Sequence, residues 1–268
     1  MRPFRLGRTL FAVGLAGLGV LSLGSGDFAL NWQPVPEWVP AREILARASG
    51  LLLLTAGAGI LIRRTAGVCA FLMAAYMLSW VLLLQVPRVV RAPGDLGMWL
   101  GLSESLWLFC GGWIITVTLS PRNWLSERFP GGPRIARLLF AFACLVLGLS
   151  HFVFLDATVS MIPAWLPARV GFAYVTGAGH FATGLALFSR VLQRLAATME
   201  ACMICVFVLL VHLPGVMAAP GSRLQWTMLY VASALAGSAW VVAGTLRDAA
   251  WGWTRLPVAA PLEKTEAA

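Results

Sequence analysis

Charged residues are scarce in this chain of 268 residues: Asp, Glu, Lys and Arg make up 12% of it, whereas hydrophobic residues make up 59%. A soluble domain of this length needs more charged surface, so the composition excludes an ordinary soluble globular protein. The mean hydropathy is +0.82, and the apolar residues form runs long enough to cross a bilayer. The composition therefore predicts a polytopic membrane protein.

Acidic residues are fewer than basic ones, 11 against 20, which gives a formal net charge of +9. In a soluble protein this excess would suggest nucleic acid as a partner. Here the basic residues lie mostly in short loops between apolar runs, where the positive-inside rule accounts for them. We predict a lipid bilayer around the protein and no nucleic-acid partner.

The chain also lacks the common catalytic motifs and has only five cysteines. Without a phosphate-binding loop, a dinucleotide fingerprint, a His-Glu-x-x-His motif or a nucleophile elbow, it does not encode soluble-enzyme chemistry. Three cysteines are isolated in sequence, and we predict no disulfide. Glu200, Cys202 and Cys205 form a cluster on the seventh apolar run, and the Cys-x-x-Cys spacing makes Cys202 and Cys205 a candidate redox pair. The alternative is that both cysteines pack as small hydrophobic residues.

Eight apolar stretches of about 18 to 24 residues predict eight transmembrane helices in an all-α fold. They cover residues 9–26, 43–62, 66–86, 96–119, 135–156, 168–188, 195–217 and 224–247. With an alternating path, both termini and the Arg-rich turns lie on one side, which we predict to be cytoplasmic.

A gapless internal repeat relates the two halves of the chain at an offset of 127 positions. Matched pairs include Pro36 and Pro163, Trp38 and Trp165, Pro40 and Pro167, Gly57 and Gly184, Trp99 and Trp226, and Trp113 and Trp240. We interpret the repeat as a duplication of a four-helix unit. The predicted units are residues 1–119 and 135–250, joined by a cytoplasmic linker at 120–134 and followed by a flexible tail at 251–268. Because each unit has an even number of spans, both have the same orientation.

Ionisable side chains within the spans are the candidate site residues, because burying them in a membrane is costly. All three histidines, His151, His180 and His212, lie in the second half, and none has a histidine at the matched position of the first half. Together with Glu104 in the fourth span they could line a ligand pocket. The alternatives are that histidines and carboxylate only join helices by hydrogen bonds, that Glu104 handles protons or cations, or that two histidines hold haem. Nothing else in the chain favours haem, and we predict no metal site.

Residues 162–169 are Ile-Pro-Ala-Trp-Leu-Pro-Ala-Arg and residues 176–187 are Thr-Gly-Ala-Gly-His-Phe-Ala-Thr-Gly-Leu-Ala-Leu. Over about 80 residues around these segments the second half resembles the DoxX-like membrane proteins, and the first half resembles them more faintly. In that family an acidic residue often follows the first glycine of the second helix by about three positions, whereas this chain has His180 there and Leu53 in the first half. The resemblance implies a bacterial inner-membrane protein, in a family with members that look like subunits of quinone-linked enzymes such as thiosulfate:quinone oxidoreductase.

Three functions follow as hypotheses. The first is a membrane subunit that binds a quinone or another small ligand and works with a redox protein partner. The second is a transporter of a small solute or ion, and the third is a non-catalytic membrane assembly protein. The sequence does not decide whether the protein is an enzyme.

Overall fold

The computed structural model describes residues 2–119 and 131–252, and both parts are helical without strands. Most of the predicted linker and nearly all of the predicted tail lie outside the described residues. The helices are α1 (Arg2–Ser25), α2 (Arg42–Leu61), α3 (Ala66–Arg91), α4 (Leu96–Leu119), α5 (Gly132–Val153), α6 (Leu155–Met161), α7 (Arg169–Ser189), α8 (Gln193–Ala218) and α9 (Arg223–Gly244). A single 3-10 turn, Leu30–Trp32, lies between α1 and α2.

Seven of these helices are long and apolar enough to cross a membrane: α1, α2, α3, α4, α5, α8 and α9. This confirms the prediction of an all-α protein with multiple membrane-spanning helices. Helix α7 has 21 residues and is long enough, but polar side chains such as Thr176, His180 and Thr183 make it less apolar than the others. The eighth span therefore stays a prediction.

The predicted fifth span, residues 135–156, is wrong at its end. Helix α5 ends at Val153, because the backbone at Phe154 leaves the helical conformation, and the short helix α6 begins at Leu155. Asp156, expected inside the span, is exposed on α6. The sequence around the break contains no proline or glycine that would have marked it.

A π turn interrupts α3 at Val81–Gln85 and α8 at Val208–His212. In both helices a proline follows two residues later, at Pro87 and Pro214. Proline has no amide hydrogen for the carbonyl four residues earlier, and its ring pushes that carbonyl away, so the helix widens just before it. The last residue of each π turn, Gln85 or His212, is thereby placed at the wall of the bundle interior.

Other local features recur at the same offset of 127 residues. Ala41 and Ala168, at the starts of α2 and α7, both have a left-handed backbone, with φ of 52° and 53°. The indole of Trp99 donates a hydrogen bond to the Pro93 carbonyl at 2.8 Å, and Trp226 donates to Pro220 at the same distance. The two halves thus share local structure at positions that the sequence comparison had matched.

Helix α1 of the first half packs against α9 of the second, and this contact is made by small residues. A methyl group added at Gly7 would lie 2.7 Å from the Gly237 carbonyl oxygen, and one added at Gly14 would lie 2.6 Å from the Ala234 amide nitrogen. Since lipid tails give no hydrophobic driving force between helices, this backbone contact is the main source of attraction here. At the corresponding contact of α4 with α5, the large rings of Trp107 and Phe140 pack together instead, with their centroids 4.3 Å apart.

Asp27, just after α1, joins the two halves at one end of the bundle. Its carboxylate accepts a hydrogen bond from Arg42 of the first half and one, at 3.0 Å, from Arg223 of the second. Partial burial raises the pKa of Asp27, but the hydrogen bonds from Arg223, the Phe28 amide and Arg42 together lower it more, so its pKa lies below the ordinary 3.8. Asp27 therefore stabilises the fold in its ionised form.

Replacing Asp27 by asparagine is expected to lower the free energy of unfolding by about 1 kcal/mol, a modest value because the three side chains are about one-third exposed. Because the folded-state pKa is depressed, the wild-type contribution is fully present above pH 3.8 and is lost as the pH falls through the folded-state value. Thermal unfolding in detergent at pH 7 and at pH 3 measures both effects. Glu43→Gln, which removes an exposed ion pair with Arg47, is the control, and equal losses for both variants would contradict the prediction.

Candidate functional site

A cavity of about 280 Å³ lies between α4 of the first half and helices α5 to α9 of the second. Its walls are mostly apolar and include Leu100, Leu147, Ile204, Phe207 and Leu235. The volume is close to the lower end of the roughly 300–1,000 Å³ usual for small-molecule sites. The cavity has room for one ring-sized group.

The four residues predicted as ligand-binding candidates all line this cavity: Glu104 from α4, His151 from α5, His180 from α7 and His212 from α8. Their positions within apolar runs predict that these residues lie at membrane depth, but the runs alone could not show that they face one another. The structure brings them together. That they bind a ligand stays a prediction.

His180 forms a buried pair with Glu200 of α8 at the base of the cavity. His180 Nδ1 and Glu200 Oε1 are 2.6 Å apart, and the two side chains are 1% and 0% exposed. In the sequence Glu200 clusters with Cys202 and Cys205, and this clustering does not reveal His180 as its partner. A signal was present: α7 and α8 form a hairpin, so residues at similar distances from the turn at residues 190–192 lie side by side.

His151 contacts His180, with ring centroids 5.0 Å apart. Its position follows from Gly148 and Gly177, which let α5 and α7 approach closely; a methyl group added at Gly177 would lie 2.8 Å from His151 Cβ. His151 Nδ1 lies 3.0 Å from Thr176 Oγ1, and Thr176 already donates its own hydroxyl hydrogen to backbone carbonyls of α7. With its hydrogen on a carbonyl, the Thr176 hydroxyl oxygen can accept from His151, the arrangement in which Nδ1 of His151 carries the hydrogen.

Trp107 packs beside His180 and was missed among the predicted site residues. It is fully buried, its indole N–H donates to the Leu235 carbonyl at 3.1 Å, and its ring centroid is 6.3 Å from that of His180. Most tryptophans of membrane proteins lie near the ends of the spans. A tryptophan in the middle of a span needs a partner for its N–H, and this was the signal that could have found it. Ala234 stands at the matched position of the second half.

His212 and Glu104 contribute the other polar groups of the cavity. His212 is the last residue of the π turn in α8, and its Nδ1 is buried without a hydrogen-bond partner among the described residues. π turns of this kind are frequent at functional sites. Glu104 is half-buried, and the Trp32 side chain is close enough to interact with its carboxyl group, although the indole N–H of Trp32 makes no hydrogen bond of normal geometry.

The matched region of the first half has different chemistry. Leu53 and Met73, both fully buried, occupy the positions of His180 and Glu200. The polar side chains there satisfy one another: Gln33 Nε2 donates to Ser49 Oγ at 3.0 Å and to the Tyr76 hydroxyl at 2.8 Å. The buried histidine–carboxylate pair thus belongs to the second half alone.

The predicted redox pair does not lie at this cavity. Cys202 is exposed on the surface of α8, and Cys205 is partly buried and accepts a hydrogen bond from the Trp240 indole at 3.3 Å. All five cysteines are free thiols. The redox role of Cys202 and Cys205 stays a prediction, and the bond to Trp240 gives Cys205 a place in helix packing.

The cavity can exchange hydrogen bonds and protons with a bound group through its imidazoles and carboxyl groups. Within residues 2–119 and 131–252, no group of three or more His, Cys, Asp or Glu side chains is placed to hold a metal ion. The apolar and aromatic walls suit a ring.

No protein-family model, curated protein or solved structure shows a significant match to this chain.

Proposed function

We propose that this membrane protein binds a quinone, or a similar ring with oxygen substituents, in the cavity and works as a subunit beside a redox protein. The observation that carries the proposal is the convergence of Glu104, His151, His180 and His212, from four different helices, on one mostly apolar cavity. A ring would lie between the apolar walls while its oxygen atoms contact the polar side chains.

The cost of burying these groups supports a role beyond packing. Glu200 Oε2 and His212 Nδ1 are buried without hydrogen-bond partners among the described residues. Unpartnered buried polar atoms are rare in proteins, and at membrane depth they are especially unfavourable. The first half meets the same packing requirement with leucine and methionine, so a histidine–carboxylate pair is not needed to join the helices.

We propose further that all eight long helices cross the inner membrane of a bacterium and that both termini are cytoplasmic. The arginine-rich turns at residues 63–64 and 190–194 support this orientation. The π turns and left-handed alanines that recur 127 residues apart support a duplicated four-helix unit, and the resemblance to DoxX-like proteins supports the location.

The proposed function predicts that titrating the purified protein with ubiquinone-1 quenches its tryptophan fluorescence, because Trp107 packs beside His180. The double variant His180→Leu/Glu200→Met, which copies the first half, is expected to bind at least about tenfold more weakly, since it removes a hydrogen-bonding pair. Tyr76→Phe, which removes one hydroxyl from the network of the first half, is the control and is expected to bind as the wild type does.

Two results would oppose the proposal: no binding of ubiquinone-1 together with no quinone in extracts of the purified protein, or equal binding by all three proteins. If, in addition, reconstituted vesicles showed an ion flux that Glu104→Gln abolished, the transport hypothesis would replace it.

A further inference from the structure

The buried pair at the base of the cavity determines which hydrogen-bonding group His180 offers to a ligand. Its Nδ1 faces Glu200 Oε1 at 2.6 Å. The hydrogen bond of the His180 ring within the described residues is the one through Nδ1, and His180 borders the cavity. Nε2 is therefore the atom that a bound ligand meets.

The charge of the pair fixes the hydrogen on Nε2. No arginine or lysine among the described residues forms an ion pair with Glu200, and an uncompensated charge at membrane depth is strongly unfavourable, so the pair is neutral as a whole. A neutral pair that hydrogen-bonds through Nδ1 and Oε1 is either a carboxylate with an imidazolium, or a carboxylic acid that donates from Oε1 to Nδ1 of a neutral imidazole. A hydrogen on Oε2 instead would be a buried donor without an acceptor, because Oε2 has no partner among the described residues. In both arrangements Nε2 carries a hydrogen. His180 is a donor toward the cavity wherever the shared proton lies.

His151 offers the opposite group. Its Nδ1 hydrogen is used on Thr176, which accepts because its own hydroxyl donates to the Phe172 carbonyl at 2.8 Å. Among the described residues no carboxylate forms a hydrogen bond or ion pair with His151, so we take its imidazole as neutral and its Nε2 as an acceptor. The base of the cavity therefore holds one donor, on His180, beside one acceptor, on His151.

One oxygen atom can contact both rings. Their centroids are 5.0 Å apart and both residues line the same cavity, so an oxygen atom bound beside them lies within reach of both imidazoles. A hydroxyl oxygen accepts from His180 and donates its hydrogen to His151, so both imidazoles are satisfied. A carbonyl oxygen accepts from His180 but faces the lone pair of His151 without a hydrogen to offer.

We propose that the base of the cavity recognises a hydroxyl group, so that the reduced, hydroxyl-bearing form of the ligand, a quinol, binds more tightly than the quinone. This inference rests on the proposed function and names the ligand form. Sites built to hydrogen-bond a hydroxyl discriminate strongly against analogues that lack it, because a buried polar group is then left without a partner.

The test compares ubiquinol-1 with ubiquinone-1 by titration of the purified full-length protein under anaerobic conditions. We expect the quinol to bind at least about tenfold more tightly, the equivalent of one lost hydrogen bond. His151→Phe removes the acceptor but keeps a ring, and is expected to weaken quinol binding about tenfold more than it weakens quinone binding. Thr176→Val, which frees the His151 ring to move its hydrogen to Nε2, is expected to reduce the same preference.

Ser49→Ala is the matched control, because Ser49 stands at the position of Thr176 in the first half, and it is expected to keep the wild-type preference. Equal binding of the two forms by the wild type, or tighter binding of the quinone, would overturn the inference and leave the proposed function standing. Binding of neither form would overturn the proposed function and the inference with it.

Discussion

Replacing His180 alone by leucine is expected to destabilise the protein by about 3–5 kcal/mol, whereas replacing His180 and Glu200 together by leucine and methionine is expected to recover most of that loss. The single change leaves the Glu200 carboxyl group buried without its partner, and breaking one side of a buried pair has costs of this size. The double change removes the ionisable groups from the helix contact. Exchanging a whole buried pair for hydrophobic residues of similar volume is often neutral or stabilising.

The first half shows that the matched helix pair packs well with the replacement residues, because Leu53 and Met73 occupy the matched positions and are fully buried. Unfolding in mixed micelles of a mild detergent and sodium dodecyl sulfate gives the free energies of the wild type, the two single variants and the double variant. The four values form a double-mutant cycle that isolates the coupling between the two side chains. Additive losses, with the double variant the least stable of the four, would show that the pair is not coupled.

Much of the candidate site could be predicted because the two halves serve as an internal comparison. Leucine, glutamine and glycine stand in the first half where His180, His212 and His151 stand in the second, so the difference pointed to residues with a special role. The depth of the three histidines in the membrane was predicted from their positions within the spans. Convergence could not be predicted, because the direction in which a side chain points depends on how each helix is rotated and on which neighbour it packs against.

The pairing of His180 with Glu200 was hidden by the grouping of Glu200 with Cys202 and Cys205, which are near in sequence. Neighbours along one helix point in different directions, and the partner across a helical hairpin is the nearer one in space. Trp107 was hidden for a related reason. A tryptophan in a span is first taken as an interfacial anchor, and only its position in the middle of α4 shows that its N–H must bond inside the bundle.

The helical nature of the long segments followed directly from hydropathy, since a bilayer permits few alternatives to helices. Seven of the eight predicted spans are long and apolar enough to cross a membrane. The interruptions did not. The π turns before Pro87 and Pro214 depend on local hydrogen-bond geometry, and the break at Phe154 separates α6 from α5 without any glycine or proline. The break matters for the site, because Phe154 and Met161, at the two ends of this segment, line the cavity. A single continuous helix would place them elsewhere.

A methyl group added at Gly237 is expected to destabilise the protein strongly, toward the upper end of the about 1–3 kcal/mol usual for overpacked sites. The new Cβ would lie 2.6 Å from the Gly7 carbonyl oxygen and 2.7 Å from Phe11 Cα. These atoms belong to the backbone of α1, so no side chain can turn away to make room, and α1 must move from α9 as a whole. The same contact joins the first and second halves, so the substitution weakens their association.

Gly171→Ala in α7 is the matched control. It makes the same chemical change on a helix, but its added methyl group would meet no atom closer than Ala168 Cβ at 3.9 Å. Alanine favours the helical conformation more than glycine does, so this variant is expected to be as stable as the wild type or slightly more so. Unfolding in mixed micelles distinguishes the two. Equal stability of Gly237→Ala and Gly171→Ala would mean that α1 and α9 do not touch through their backbones. The contact between the halves would then have to depend on other groups, such as the rings of Trp107 and Phe140 at α4 and α5 and the ion pair of Asp27 with Arg223.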